Sequence, residues 1–303
     1  MKGNDLVHIL NGEGTAYSFR QSGLPGDSIV WNEALVDGPV SSALFSDQFL
    51  NDRRGFFDSV DQEAKYDFVF LSEFRKLEKL NGQTLCLWFE YDLFCQVNLI
   101  AALTSLRETD INEVYLVSPD SHPNHKVFGG LGQLSPTEIA DLYPDRVKLS
   151  GYVLEFATEL WNCYAGEDPL SLYELIFAED HPKELPFLKS AFLEHFRRFP
   201  SEETGLNYVQ EQIMRLVLES NDYKDVMRSL FRNNRNLGYG DLQYLSEIEL
   251  LGEFIRKRGD HLEIVAEPTF NQSIKISTNR YVGGAPASRF LWNENSKSLK
   301  ARP

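Results

Sequence analysis

Three cysteines in 303 residues, Cys86, Cys95 and Cys163, are odd in number and too widely spaced for a disulfide framework. Reduced thiols in a cytoplasmic setting are the expectation. Long hydrophobic runs are missing as well. The longest uncharged apolar-rich run, Leu93 to Leu106, stops at Asp92 and Arg107 and is too short to span a bilayer. It reads as a buried helix, and no membrane partner is expected. The opening residues Met1-Lys2-Gly3-Asn4-Asp5 lack the apolar core of a signal peptide. Basic charge is scarce: the formal net charge is −15. Residues 201–303 are neutral, with 14 acidic and 14 basic residues, so residues 1–200 hold the whole excess, 31 acidic against 16 basic. Nucleic-acid affinity rests largely on Lys and Arg neutralising phosphates. The front two thirds is therefore a poor duplex binder, and any nucleic-acid contact falls to residues 201–303.

Several motifs of known chemistry are also absent. There is no complete G-x-G-x-x-G, no G-x-x-x-x-G-K-[ST] and no G-x-S-x-G elbow. His122 and His125 have H-x-x-H spacing, but in a proline-containing loop with no nearby cysteine pair, which argues against zinc there.

What is present is an alternation of strands and helices. Leu6-Val7-His8-Ile9-Leu10 reads as a buried strand, with His8 a core histidine. A short helix from about Ala16 follows, then strands over Ser28–Trp31, Thr84–Phe89 and Glu113–Val117. Helices are predicted over Asp58–Leu80 and Leu93–Leu106. This order argues for a Rossmann-like parallel sheet in an α/β domain over 1–134. Ser135-Pro136-Thr137-Glu138 is a capping box that opens a helical connector over 135–200. Helices are expected at Leu149–Tyr164, Leu170–Ala178 and Pro186–Phe199. Beyond the Pro200–Gly205 linker come three helices, Leu206–Glu219, Tyr223–Phe231 and Asp241–Arg258. Strand-like runs His261–Ala266 and Ser273–Thr278 follow. Three helices and then a hairpin give a winged-helix-like C-terminal domain over 201–303.

In an open α/β sheet the ligand lies outside the carboxyl ends of the strands. Four turns fall there: Asn11-Gly12-Glu13-Gly14-Thr15, Trp31-Asn32-Glu33 running to Asp37-Gly38-Pro39, Glu90-Tyr91-Asp92, and Ser118–His122. Gly12 and Gly14 let backbone approach an anion at a helix N-terminus with Asn11 and Thr15 beside it, or simply make a tight turn. Glu13, Glu90 and Asp92 are the candidate metal ligands and acid–base groups, with Mg²⁺ or Mn²⁺ the cations that carboxylates suit. Asp92 is equally a natural helix N-cap. Glu33, Asp37, Gln96 and Gln133 are further ligand-binding candidates. Trp31 and Trp88 either stack on a ligand ring or fill the core. The glycine-rich segment Gly129–Gln133 is a mobile cover, a hinge or a compact turn. Arg228, Arg232, Arg235 and Arg256-Lys257-Arg258 lie on or after helices, the triplet being placed to favour a helix dipole.

The motifs His8-Ile9-Leu10-Asn11-Gly12-Glu13, Trp31-Asn32-Glu33-Ala34-Leu35-Val36-Asp37-Gly38-Pro39 and Leu87-Trp88-Phe89-Glu90-Tyr91-Asp92-Leu93 carry a family resemblance. Phe128–Leu134, Leu185–Leu188, Phe199-Pro200, Gly205-Leu206 and Gly240-Asp241 extend it. The chain resembles the bacterial domain of unknown function family numbered 1835. That family resembles Gly-Asp-Ser where this chain has Gly12-Glu13-Gly14, often has histidine at the Tyr91 position and an acid at the Cys95 position. The resemblance implies a fold plan and no particular reaction. The composite expectation is a small-anion or nucleotide-binding protein using a divalent cation, with hydrolysis or transfer at a phosphate as its chemistry. The alternative is a non-catalytic, ligand-sensing regulator whose C-terminal domain meets a partner.

Overall fold

The structure is a computed structural model, and it describes residues 5–60, 66–107 and 109–302. Met1–Asn4 lie outside the described residues, as does the stretch 61–65 of the helix expected over Asp58–Leu80.

Strand β1 (Leu6–Asn11) is buried along almost its full length, as a central strand covered on both faces must be. Its side chains alternate between two cores. Val7 and Ile9 join one cluster with Leu85, Leu87, Ile29 and Trp31. Leu6 and Leu10 join the other with Cys86, Trp88 and Val30. The period of two in Leu-Val-His-Ile-Leu thus becomes a sheet with a helical layer on each side.

The N-terminal elements are β1, α1 (Glu13–Phe19), β2 (Asp27–Trp31), α2 (Asp47–Val60), α3 (Ser72–Leu77), β3 (Gln83–Trp88), α4 (Leu93–Ser105) and β4 (Ile111–Val117). A π-helical turn over Asp67–Leu71 leads into α3. Within the described residues, α2 starts upstream of the helix expected from Asp58, at Asp47, and that expected helix carries a π-helical turn ahead of α3. Sheet order is β2-β1-β3-β4-β5, where β5 (Val147–Leu149) is a short antiparallel edge and the other four strands are parallel. The chain leaves β1 toward β2 and returns to β3 on β1's other side. The carboxyl ends of β1 and β3 consequently flank the topological switch point, where such sheets bind ligands. Asn11 and Glu90 stand there.

Helix α4 is mostly apolar and largely buried, so it runs through the interior. After it come α5 (Pro136–Leu142), opened by the expected Ser135–Glu138 capping box, and α6 (Gly151–Ala165), α7 (Pro169–Phe177) and α8 (Leu188–Phe196). These form the helical midsection.

The C-terminal part is α9 (Tyr208–Glu219), α10 (Tyr223–Asn233), α11 (Asp241–Leu250) and an antiparallel hairpin of β6 (Ile255–Arg258) and β7 (His261–Ile264). Three helices and a hairpin make it winged-helix-like. Two sequence expectations are corrected. The third helix ends at Leu250, and Arg256-Lys257-Arg258 lies on β6, exposed, not at a helix terminus. The reason is Gly259-Asp260, a two-residue hairpin turn with Gly259 at φ +60. The run Ser273–Thr278 is not a strand: α12 (Phe270–Ile276) covers most of it, started by a Thr269–Gln272 capping box. Small strands β8 (Tyr281–Val282), β9 (Ala285–Pro286), β10 (Phe290–Asn293) and β11 (Ser298–Ala301) finish the chain. Among the described residues no helix is long and apolar enough to cross a membrane.

Candidate functional site

Phe89, Glu90 and Tyr91 carry the chain from β3 to the Asp92 cap of α4. Asp92 accepts the backbone N–H of Cys95 at 2.8 Å, which fixes its carboxyl at the helix start. One turn into α4 the Cys95 thiol donates to Glu90 Oε2 at 2.7 Å. A ligand atom from each of Glu90, Asp92 and Cys95 lies within 4.8 Å of the others, so this largely buried cluster at the carboxyl edge of the sheet can coordinate a divalent cation.

The cluster is clamped from two sides. Asn11, at the end of β1, donates its side-chain amide to Cys95 Sγ at 3.0 Å, and the Asn98 amide donates to Asn11 Oδ1 at 3.2 Å. From above, the backbone N–H of Leu131 donates to Glu90 Oε1. Gly130 permits this approach: its φ is +119, and a Cβ there would lie 2.7 Å from Glu90 Oε1. The Gly129–Gln133 segment therefore covers the crevice by seating on Glu90. Gln96 donates to the Glu90 carbonyl at 2.7 Å, while its own Oε1 is buried without a partner among the described residues.

Burial first, tempered by the Cys95, Leu131 and Asn11 contacts, holds the Glu90 carboxyl above the usual carboxylate range. Burial, and then Glu90, push Asp92 up to about 7. Burial and both neighbouring carboxylates push the Cys95 thiol well up. Crowded acids without a cation retain protons, and a divalent ion in their place would release them.

The opposite wall is cationic. One cavity of about 780 Å³ is lined by Asn11, Glu90, Asp92, Cys95 and Gln133 on the sheet side and by Arg228, Arg232 and Arg235 from α10 and the turn after it. Arg228 is tied to Asp225 at 2.7 Å. Arg232 and Arg235 have no ionic partner among the described residues. Gly238 packs so closely on Asp92 that a Cβ would overlap its carboxylate. In sequence these arginines stand on or just after a helix of the last third, the part to which any nucleic-acid contact was assigned. Their signal was the spacing: 228 and 232 share a helix face, and 235 follows by one short turn. Cys95, expected from sequence only as a reduced thiol, stands one helical turn from Asp92.

The remaining candidates are placed elsewhere. Glu13 is exposed and takes a hydrogen bond from Arg20 at 3.1 Å, so it is not brought to Glu90 and Asp92. Gly12 has φ +85, and the close approach at Gly14 is to Gly132, 3.4 Å from a built Cβ, so these glycines serve the turn and its packing. Thr15 is buried and donates to the Asn11 carbonyl at 3.2 Å. Trp31 is buried among Phe45, Phe70 and Phe89, and Trp88 donates its indole N–H to His8 at 3.0 Å; neither ring lines the cavity. Glu33 forms a fully buried pair with Arg53 at 2.5 Å and accepts the Tyr66 hydroxyl at 2.7 Å. Asp37 pairs with Arg198 at 2.9 Å and lines a second cavity of about 960 Å³.

No protein-family model matches this chain, and no curated protein matches it.

Proposed function

We propose that the chain binds a small phosphate-class anion through a divalent cation at the switch point of the sheet. The observation that carries this reading is a cavity that sets the Glu90–Asp92 cluster on one wall and arginines on the other. Glu90 and Asp92 hold the cation. Arg232 and Arg235, and Arg228 where it leaves Asp225, take the outer oxygens of the anion. Hard cations of the Mg²⁺ or Mn²⁺ kind prefer this oxygen-rich arrangement, with substrate phosphate completing the shell. The reaction class suited to it is hydrolysis or transfer at a phosphate, where catalysis is positioning and charge stabilisation. Membership of the family numbered 1835 is part of the same proposal.

The test is thermal unfolding with Mn²⁺ or Mg²⁺, alone and with phosphate, pyrophosphate or nucleotides. Saturation at a hundred times the dissociation constant stabilises by about 2.7 kcal/mol. The shift should vanish in Glu90→Gln and Asp92→Asn, and its anion-dependent part should vanish in Arg232→Gln with Arg235→Gln. Unchanged shifts in all of these variants, folded by circular dichroism, sink the reading.

A second reading has one observation of its own. The hairpin of the winged-helix-like region exposes Arg256, Lys257 and Arg258, with Lys257 lying 4.0 Å from the Tyr223 ring centre. A ligand-sensing regulator would use that hairpin on a nucleic acid or another acidic partner. It predicts no turnover and a DNA affinity that falls steeply with salt and in Arg256→Ala.

A further inference from the structure

The loop from β4 to α5 gathers a second set of ligand atoms. His122 is buried at its start, His125 is half-buried three residues on, and Glu138 reaches back from the first turn of α5. The H-x-x-H spacing lacked a third ligand in sequence, and folding supplies it. His125 Nε2 lies 3.1 Å and His122 Nδ1 3.8 Å from one atom, Glu138 Oε1. Zinc bonds of about 2.0–2.1 Å in a tetrahedron place neighbouring ligand atoms about 3.3 Å apart, which is the range these two distances span.

The contacts place three ligand atoms around one point. The backbone N–H of Asn124 donates to His122 Nδ1 at 3.3 Å, which makes that nitrogen an acceptor. It faces a carboxylate oxygen, also an acceptor. A hydrogen bond of that length is readily exchanged for a metal bond, and the His125 Nε2 contact with Glu138 Oε1 at 3.1 Å is exchanged likewise once the ring carries its proton on Nδ1. The carboxylate is already oriented. Ser135 donates to Oε2 from its N–H and its hydroxyl, each at 2.9 Å, and the Asn124 amide donates to Oε1 at 3.0 Å. Such outer contacts aim ligands before a metal arrives. Two imidazoles with one carboxylate suit zinc-class ions, whereas Mg²⁺ takes oxygen alone.

We infer that His122, His125 and Glu138 bind a zinc-class transition-metal ion through three protein ligands, leaving an exchangeable fourth position. The ion ties the turn at 122–125 to the start of α5. Between these anchors runs the 127–133 segment that lines the crevice and hydrogen-bonds Glu90. Loading this site therefore stiffens the cover of the other cavity. The inference does not depend on what Glu90 and Asp92 bind.

Co²⁺ titration of chelator-treated protein tests it. One equivalent should give the visible absorption of four-coordinate Co²⁺, displaced by Zn²⁺, with Zn²⁺ affinity measured against a chelating dye. His125→Gln and His122→Gln should each weaken Zn²⁺ by at least about tenfold, while Glu90→Gln should change it by much less. Circular dichroism establishes that each variant is folded, and half-buried His125 is the variant that tolerates replacement best. A folded wild type with no visible band and no competition with the dye overturns the inference. So does a band that survives both histidine variants, or one lost in Glu90→Gln instead.

Discussion

Glu33→Gln separates scaffold from site most sharply. The Glu33 carboxylate is fully buried and accepts from Arg53 Nε at 3.1 Å, Arg53 Nη2 at 2.5 Å, the Tyr66 hydroxyl at 2.7 Å and the Ala34 N–H at 2.9 Å. Arg53 is equally buried and also donates to the carbonyls of Asp37, Pro39 and Ala34. It therefore fastens the whole turn after β2. An amide at position 33 keeps the shape but leaves a guanidinium in the interior without its counter-charge. Removing one partner of a buried pair costs about 3–5 kcal/mol. At about 2 °C per kcal/mol for a chain of this size, melting should fall by about 6–10 °C. Urea unfolding followed by tryptophan fluorescence measures the cost. Arg53→Met should cost a similar amount, and Glu33→Leu combined with Arg53→Met should cost much less than the two singles added, because no charge then stays stranded. A cost below about 1 kcal/mol, together with weakened Mn²⁺ binding, would refute this and return Glu33 to the ligand-binding role its sequence position suggested.

His8 supplies a pH prediction. Its Nε2–H donates to the Pro25 carbonyl and its Nδ1 accepts from Trp88, so the ring is built to be neutral, and burial lowers its pKa from 6.5 to about 4. The unfolded chain binds this proton more readily than the folded one. The His8 contribution is thus complete above 6.5 and declines as pH falls toward 4, by about 3 kcal/mol; because Asp92 and Glu90, raised by burial, change stability in the opposite sense over the same range, the readout is the difference between proteins, and wild type should lose about 2–3 kcal/mol relative to His8→Gln between pH 7 and pH 4.5. Gly130→Ala forces a Cβ against Glu90 at a positive φ, so it should cost about 1–2 kcal/mol and weaken Mn²⁺ in a titration. Gly238→Ala intrudes on the Asp92 carboxylate and should weaken Mn²⁺ too, while Zn²⁺ at His122 and His125 is unaffected.

The sheet was legible because its signals are local and strong. Leu6–Leu10, Thr84–Phe89 and Glu113–Val117 are apolar runs bounded by polar turns, and the capping box at Ser135 is explicit. The C-terminal end was misread where two periods competed. Glu247 to Arg258 fits a helical pattern until the Gly259-Asp260 turn is weighed, and that turn decides in favour of a hairpin. The placement of Glu90 and Asp92 at the carboxyl edge of the sheet was legible from position alone, at the mouth of a buried strand. Glu13 and Glu33 share that position yet differ in fate, because Arg20 and Arg53 take their charges. Sequence adjacency cannot show which cation a carboxylate will meet: Arg53 arrives from α2, after a loop of irregular chain.

The same limit explains the cationic wall. Averaged over the chain, charge is strongly negative, and averages argue against any polyanion. Binding depends on charge within a Debye length, about 8–10 Å at ordinary salt. The neutral last third holds three arginines where α10 ends, and the fold turns that end toward the acid-lined switch point. Carboxylates alone would attract a cation and repel its phosphate; arginines alone would hold a phosphate without a metal. Set across one cavity from each other, they would, on the proposed function, favour a cation and an anion bound together over either bound singly. Mn²⁺ and pyrophosphate should therefore each tighten the other by the same factor, since the coupling between two ligands is reciprocal. Independent binding, with a factor of one, would show that the two walls do not share a ligand.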